Sequence, residues 1–231
     1  MSAAASDLRE TLAELEVEHA TLLSELRAFE SDYLREVGVL DMQVQELQAK
    51  ILTIVWERSG ADFDQMAAEA AAERFRQTTA MQKAVPPPPG PPPTEDLKTL
   101  FRDAAKRMHP DLVPDGAGRE HAEAFMKRLN DAYRDGDAEA IGNLVRQWET
   151  SPFASGFPSA GASSALAAAV ANARQRLDEA RESDLARLME QAFMASMNDR
   201  DLLAELRLDA EQALAAARAR LEALGDASTS R

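Results

Sequence analysis

The sequence contains no cysteine, so neither a disulfide nor a thiolate metal site holds the chain together. Its three histidines, His19, His109 and His121, are scattered and offer no ligand cluster, so no metal or other cofactor is expected. Aromatic residues make up only 5% of the 231 positions and glycine only 10 of them, which argues against a sheet protein and against one large packed core. No apolar run approaches the roughly 18 residues of a membrane span. Residues Met1 to Asp7 lack the basic stretch and apolar core of a leader, so the expectation is a soluble, cytoplasmic protein. Positive charge is also short. With 26 basic against 40 acidic residues the net charge is −14, which excludes general attraction to nucleic acid or anionic lipid.

What is abundant is Ala, Leu, Glu and Arg, the composition of long helices, and the fold class is read as all-α. The expected architecture is long coiled-coil helices flanking a small helical hairpin module. From Leu8, the positions Leu12, Leu15, His19, Leu22, Leu26, Phe29 and Tyr33 alternate steps of four and three, a coiled-coil seam in which His19 is a packed or register-setting residue. The step from Tyr33 to Val37 is four again before Leu40, Val44, Leu47, Ile51 and Ile54 resume, and this stutter relaxes the supercoil beside Gly38. A helix over 7–57 is about 75 Å long and needs a partner, either a second copy of the chain or the C-terminal arm folding back. A homo-oligomer through the coiled coil is the expectation.

The N-terminal coiled coil is assigned to 1–60, where Ser59-Gly60 stops the helix, and an alanine-rich helix to 61–85, capped by Asp62. Residues 86–93, Pro86 to Pro89, Gly90 and Pro91 to Pro93, form a polyproline spacer. A module spans 94–149, a linker 150–161 and a C-terminal helical arm 162–225, with a disordered tail at 226–231. In the linker Phe153 and Phe157 are candidate anchors. In the arm the apolar stripe slips between Ala180 and Leu203, and Asn198-Asp199 is a candidate cap for a new helix there.

The module carries the information. Leu97, Leu100, Phe101, Ala104, Ala105 and Met108 mark a buried helix face, Lys98, Arg102, Lys106 and Arg107 an exposed basic one, and Thr94 caps the start. Pro110 ends this helix near Met108, and the chain turns back into a second helix beginning near Arg119, whose inner face is Ala122, Phe125, Leu129, Ala132 and Tyr133. Asp137 caps a third helix that adds Ile141, Leu144, Val145 and Trp148 to the core.

The run from Leu97 to Met108 into His109-Pro110-Asp111, followed by Phe125-Met126-Lys127-Arg128-Leu129-Asn130-Asp131-Ala132-Tyr133, resembles the second helix, signature loop and third helix of J-domains. The resemblance covers about a quarter of the chain. It implies a co-chaperone that recruits a DnaK-type ATPase chaperone and stimulates its ATP hydrolysis. It also implies that Lys98, Arg102, Lys106 and Arg107 dock on an acidic surface of that chaperone, that Asp111 meets a chaperone arginine, and that His109 and Pro110 hold the loop in shape. The family's first helix is missing, because the polyproline stretch stands in its place, and the helix at 62–83 or at 138–148 is expected to substitute. A protein client of unspecified identity is expected on the arms.

The alternative is a coiled-coil scaffold whose J-like module has lost stimulation. An enzyme reading, with His109 and Asp111 as acid and base, is set aside because residues flanking a proline in an exposed turn lack a pocket to tune them. If the proline stretch is a spacer, replacing 86–93 by a Gly/Ser linker of equal length leaves the helix content measured by circular dichroism unchanged.

Overall fold

Helix termini in this chain are written largely by single residues. The computed structural model describes residues 3–83, 92–113, 116–154 and 162–229, and no strand occurs among the described residues. The first helical run comprises α1 (Ala3–Tyr33), a π-helical turn (Leu34–Gly38) and α2 (Val39–Ser59). The π turn falls at the stutter, where one wide turn absorbs the extra residues in the apolar repeat. A Cβ on Gly38 would stand 2.9 Å from Leu34 Cδ2, so a larger residue there would displace the end of the Leu34 side chain. The run ends at Gly60, whose φ of 63° is the left-handed conformation that glycine adopts without penalty.

There follow α3 (Asp62–Lys83), α4 (Glu95–Met108), a 3-10 turn (Pro110–Leu112), α5 (Gly116–Arg134) and α6 (Ala138–Glu149). The last three helices are α7 (Ala162–Arg181), α8 (Asp184–Ser196) and α9 (Leu202–Thr229). The described part of the chain is all-α. Among the described residues no helix is long and apolar enough to cross a membrane.

The helices form two compact units, one of residues 1–28 with 88–187 and one of residues 29–87 with 188–231. In the first, α4, α5 and α6 pack around Phe101, Met108, Leu129, Tyr133, Ile141 and Trp148, and Val17 of α1 joins the same core. Ala5 and Leu12 of α1 pack against Leu166, Ala169, Val170 and Ala173 of α7. In the second unit α2 packs against α3 and against α9, burying Val44 and Ile51 on α2, Ala68 and Ala71 on α3, and Ala210 and Leu214 on α9. Thr78 bonds Gln45 at 2.8 Å across the α2–α3 pair, and Arg58 donates to the Leu224 carbonyl across the α2–α9 pair.

These units redraw the expected boundaries. The core of the 94–149 module takes in Val17 of α1, and the 1–60 and 162–225 segments each divide between the two units. The C-terminal tract breaks twice. Ser183 caps α8 by accepting from the Ala186 amide at 3.2 Å, a break the alanine-rich pattern concealed. The second break lies where the stripe slips, but Asp201, accepting from the Ala204 amide at 3.0 Å, is its cap, not Asn198-Asp199. Asn198 instead donates to the Met194 carbonyl, and Asp199 takes a left-handed φ of 55°. Leu100, expected in the core, is 41% exposed because α4 centres its inner face on Phe101 and Ala104. The proline spacer up to Pro91, and Phe157, lie outside the described residues.

The seam, which needs either a second copy or the folded-back C-terminal arm as partner, meets α7 in one unit and α9 in the other. Light scattering is therefore expected to return a monomeric mass near 25.2 kDa. A dimeric mass would overturn that expectation, and substitution of the exposed Phe193, Met194 and Met197 would then test whether they carry the association.

Candidate functional site

The site is built from α4 downward. The Thr94 hydroxyl accepts from the Leu97 amide at 3.2 Å, Glu95 and Asp96 complement the helix start, and Lys106 and Arg107 sit in its last turn. Pro110 has no amide proton to continue the ladder, so α4 stops at Met108. His109 leaves the helix in an extended conformation, and its Nδ1 accepts from the Asp111 amide at 3.2 Å, capping the 3-10 turn. The Val113 amide closes that turn on the Pro110 carbonyl at 3.1 Å. Across the hairpin the Phe101 and Tyr133 rings lie 4.7 Å apart, tilted by 57°. Asp137 caps α6 through the Ala140 amide at 2.8 Å. This helix packs on both α4 and α5, whereas the 62–83 helix belongs to the other unit.

His109 is not the exposed turn residue that the sequence suggests. It is 4% exposed, and its Nε2 lies 3.1 Å from Oε1 of Glu16, itself 3% exposed. Because Nδ1 accepts a backbone proton, Nε2 carries the ring hydrogen and donates it to Glu16. Arg176 of α7 donates to the same carboxylate oxygen. Burial alone would raise the Glu16 pKa, but the hydrogen bond from His109 and the charge and hydrogen bond of Arg176 outweigh it and hold the carboxyl below its ordinary value. Glu16 therefore ties α1, the His-Pro-Asp turn and α7 together. Sequence reasoning missed it because the seam was traced through Leu15 and His19. The available signal was its place four residues after Leu12 and four before Ala20, both of which face the core.

The basic face meets this same chain. Lys106 pairs with Glu10 of α1 at 2.5 Å, Lys98 with Glu95 at 2.9 Å, and Arg107 with Glu149 of α6. Lys98 and Arg102 line a groove with Glu14, Glu18 and Glu25 of α1 and Arg181 of α7. The Nε of Arg102 is buried without a hydrogen-bond partner among the described residues, a deficit of about 1–3 kcal/mol. Thr21 of α1 and Tyr133 of α5 share a hydrogen bond of 2.7 Å beside this groove. The 3-10 turn packs against α7, and Asp111 within it is partly buried, its carboxylate making no hydrogen bond or ion pair among the described residues.

No family model, curated protein or solved structure matches the chain. The chemistry of the site thus rests on its own geometry. His109 has both ring nitrogens engaged, and among the described residues no three His, Asp or Glu side chains gather as metal ligands. His19, half-buried, lines a second groove with Pro110, Glu123 and Lys127, and its imidazole is pushed down by burial and by the charge of Arg176. Phe153 anchors the segment after α6, packing 5.2 Å from the His121 ring.

Two outcomes follow for the turn. His109→Gln cannot reproduce both bonds of the imidazole and loses stability, about 2 kcal/mol, whereas Asp111→Asn leaves the thermal transition in place. Glu16 has a lowered folded pKa, so its contribution is full above the ordinary carboxylate value and is lost as pH falls through the lower one. Urea titrations below about pH 4.5 should show this acid loss in the wild type and a shallower one in Glu16→Gln.

Proposed function

We propose that this protein is a J-domain-like co-chaperone that recruits a DnaK-type chaperone and stimulates its ATP hydrolysis through the His109-Pro110-Asp111 turn. One observation carries the reading. A basic helix ends directly in a proline-stopped, His-capped turn whose aspartate carboxylate has no partner among the described residues, and the following helix packs back through Tyr133 onto Phe101. An unpaired carboxylate on a rigid turn is suited to a charge-assisted hydrogen bond from an arginine of another protein. Lys98, Arg102, Lys106 and Arg107 then supply docking charge for an acidic chaperone surface. His109 and Pro110 act on the turn's shape.

In this reading the chain does no chemistry of its own and works in the cytoplasm, where it delivers a protein client to the chaperone without binding nucleic acid or membrane. A second reading, a coiled-coil scaffold or interaction protein with a non-stimulating J-like module, is favoured by the Glu10 pairing of Lys106 and the packing of α7 on the turn. The two readings separate in one assay. Single-turnover ATP hydrolysis by a DnaK-type chaperone is expected to rise with added wild type and to fall back to its basal rate with Asp111→Asn, circular dichroism being unchanged. Full stimulation by Asp111→Asn overturns the role of the turn, and none by the wild type at any concentration favours the scaffold.

A further inference from the structure

We propose that α1 is a built-in occupant of the basic face of α4, so that the N-terminal helix competes with any acidic partner for Lys98, Arg102 and Lys106. This rests on the co-chaperone reading and adds regulation to the same surface. The argument begins with charge. Along one side of α1 stand Glu10, Glu14, Glu18 and Glu25; Glu10 takes Lys106, and the other three border the groove that holds Lys98 and Arg102. The charge of Glu25 also raises the Lys98 pKa, after the larger effect of its hydrogen bond to Glu95. An acidic helix laid on a basic one presents the chemistry that an acidic docking surface presents, in the same place.

The second observation is that this cover is incomplete. Among the described residues Arg102 keeps its Nε buried and without a hydrogen-bond partner, and the groove between the helices remains open beside Thr21 and Leu22. A partner that brings a carboxylate to Arg102 therefore satisfies a donor that α1 leaves unsatisfied, which favours exchange of one acidic surface for the other. The third is how α1 is held. Leu12 and Ala5 lie on α7, Val17 enters the core of the hairpin, and Glu16 bonds His109 and Arg176. The carboxylates that mask α4 are thus different residues from the groups that anchor α1. Weakening the mask need not remove the anchor, and the two are separable by substitution.

The test compares the full-length wild type with Glu10→Lys/Glu14→Lys/Glu25→Lys, which keeps Glu16 and Glu18. Hydrogen exchange of the α4 amides and single-turnover ATP hydrolysis by a DnaK-type chaperone are read on both proteins. The expected result is faster exchange in α4 and stimulation at about tenfold lower protein concentration, since apparent affinity scales with the unmasked fraction. Adding Asp111→Asn to the variant should remove the gain, and a gain that survives it overturns the proposal. Where circular dichroism shows that the triple lysine variant has lost helix, Glu10→Gln/Glu14→Gln/Glu25→Gln replaces it, with the same direction expected. Equal stimulation by wild type and variant overturns the masking while leaving the co-chaperone reading intact. Faster α4 exchange with no stimulation by either protein overturns the co-chaperone reading, and the competition proposed here falls with it.

Discussion

A single buried carboxylate organises the first unit. Glu16 lies on a helix near the start of the chain, accepts from His109 in the middle and from Arg176 far downstream, and is almost without solvent. A charge in that position is tolerated only when opposite charge and hydrogen-bond donors answer it. The remaining geometry follows from that demand. His109 must present Nε2 inward, which turns Nδ1 toward the Asp111 amide and sets the 3-10 turn, and α7 must lie where its arginine reaches the same oxygen.

The sequence made the helices legible, and much of the hairpin, because those features depend on local physics. Pro110, Thr94, Asp137 and Gly60 each act on their own neighbours, and the structure uses all four as helix boundaries. The buried stripe of α5, from Ala122 to Tyr133, was equally readable from its spacing. What could not be read was which helix covers which. Alanine-rich helices such as α3, α7 and α9 have weakly polarised faces, so many pairings of α1 and α2 with later helices are compatible with the same pattern.

The site was legible in its residue types and less so in its exposure. Lys98, Arg102 and Lys106 lie on one side of α4 as helical spacing requires, with Arg107 turned toward α6, and Glu10 and Glu149, the partners of Lys106 and Arg107, are remote in sequence. The burial of His109 is likewise a long-range fact, set by a residue 93 positions away. A turn that looks exposed between two short helices becomes an interior turn once two further helices are laid against it. The closing of the hairpin core is a long-range fact as well, since α6 packs on it from the far end of the module and Val17 enters it from α1.

The sequence separations inside the first unit also bear on how the chain is made. Glu16 meets its arginine 160 residues later, so α1 emerges from the ribosome long before its anchor exists. The α4 to α6 hairpin closes through contacts of short range, whereas docking α1 requires closing a long loop, a slower and entropically costlier step. The basic helix and its turn are therefore synthesised while α7 is still to come. Arg176, which helps to hold α1 beside that helix, is synthesised only after it.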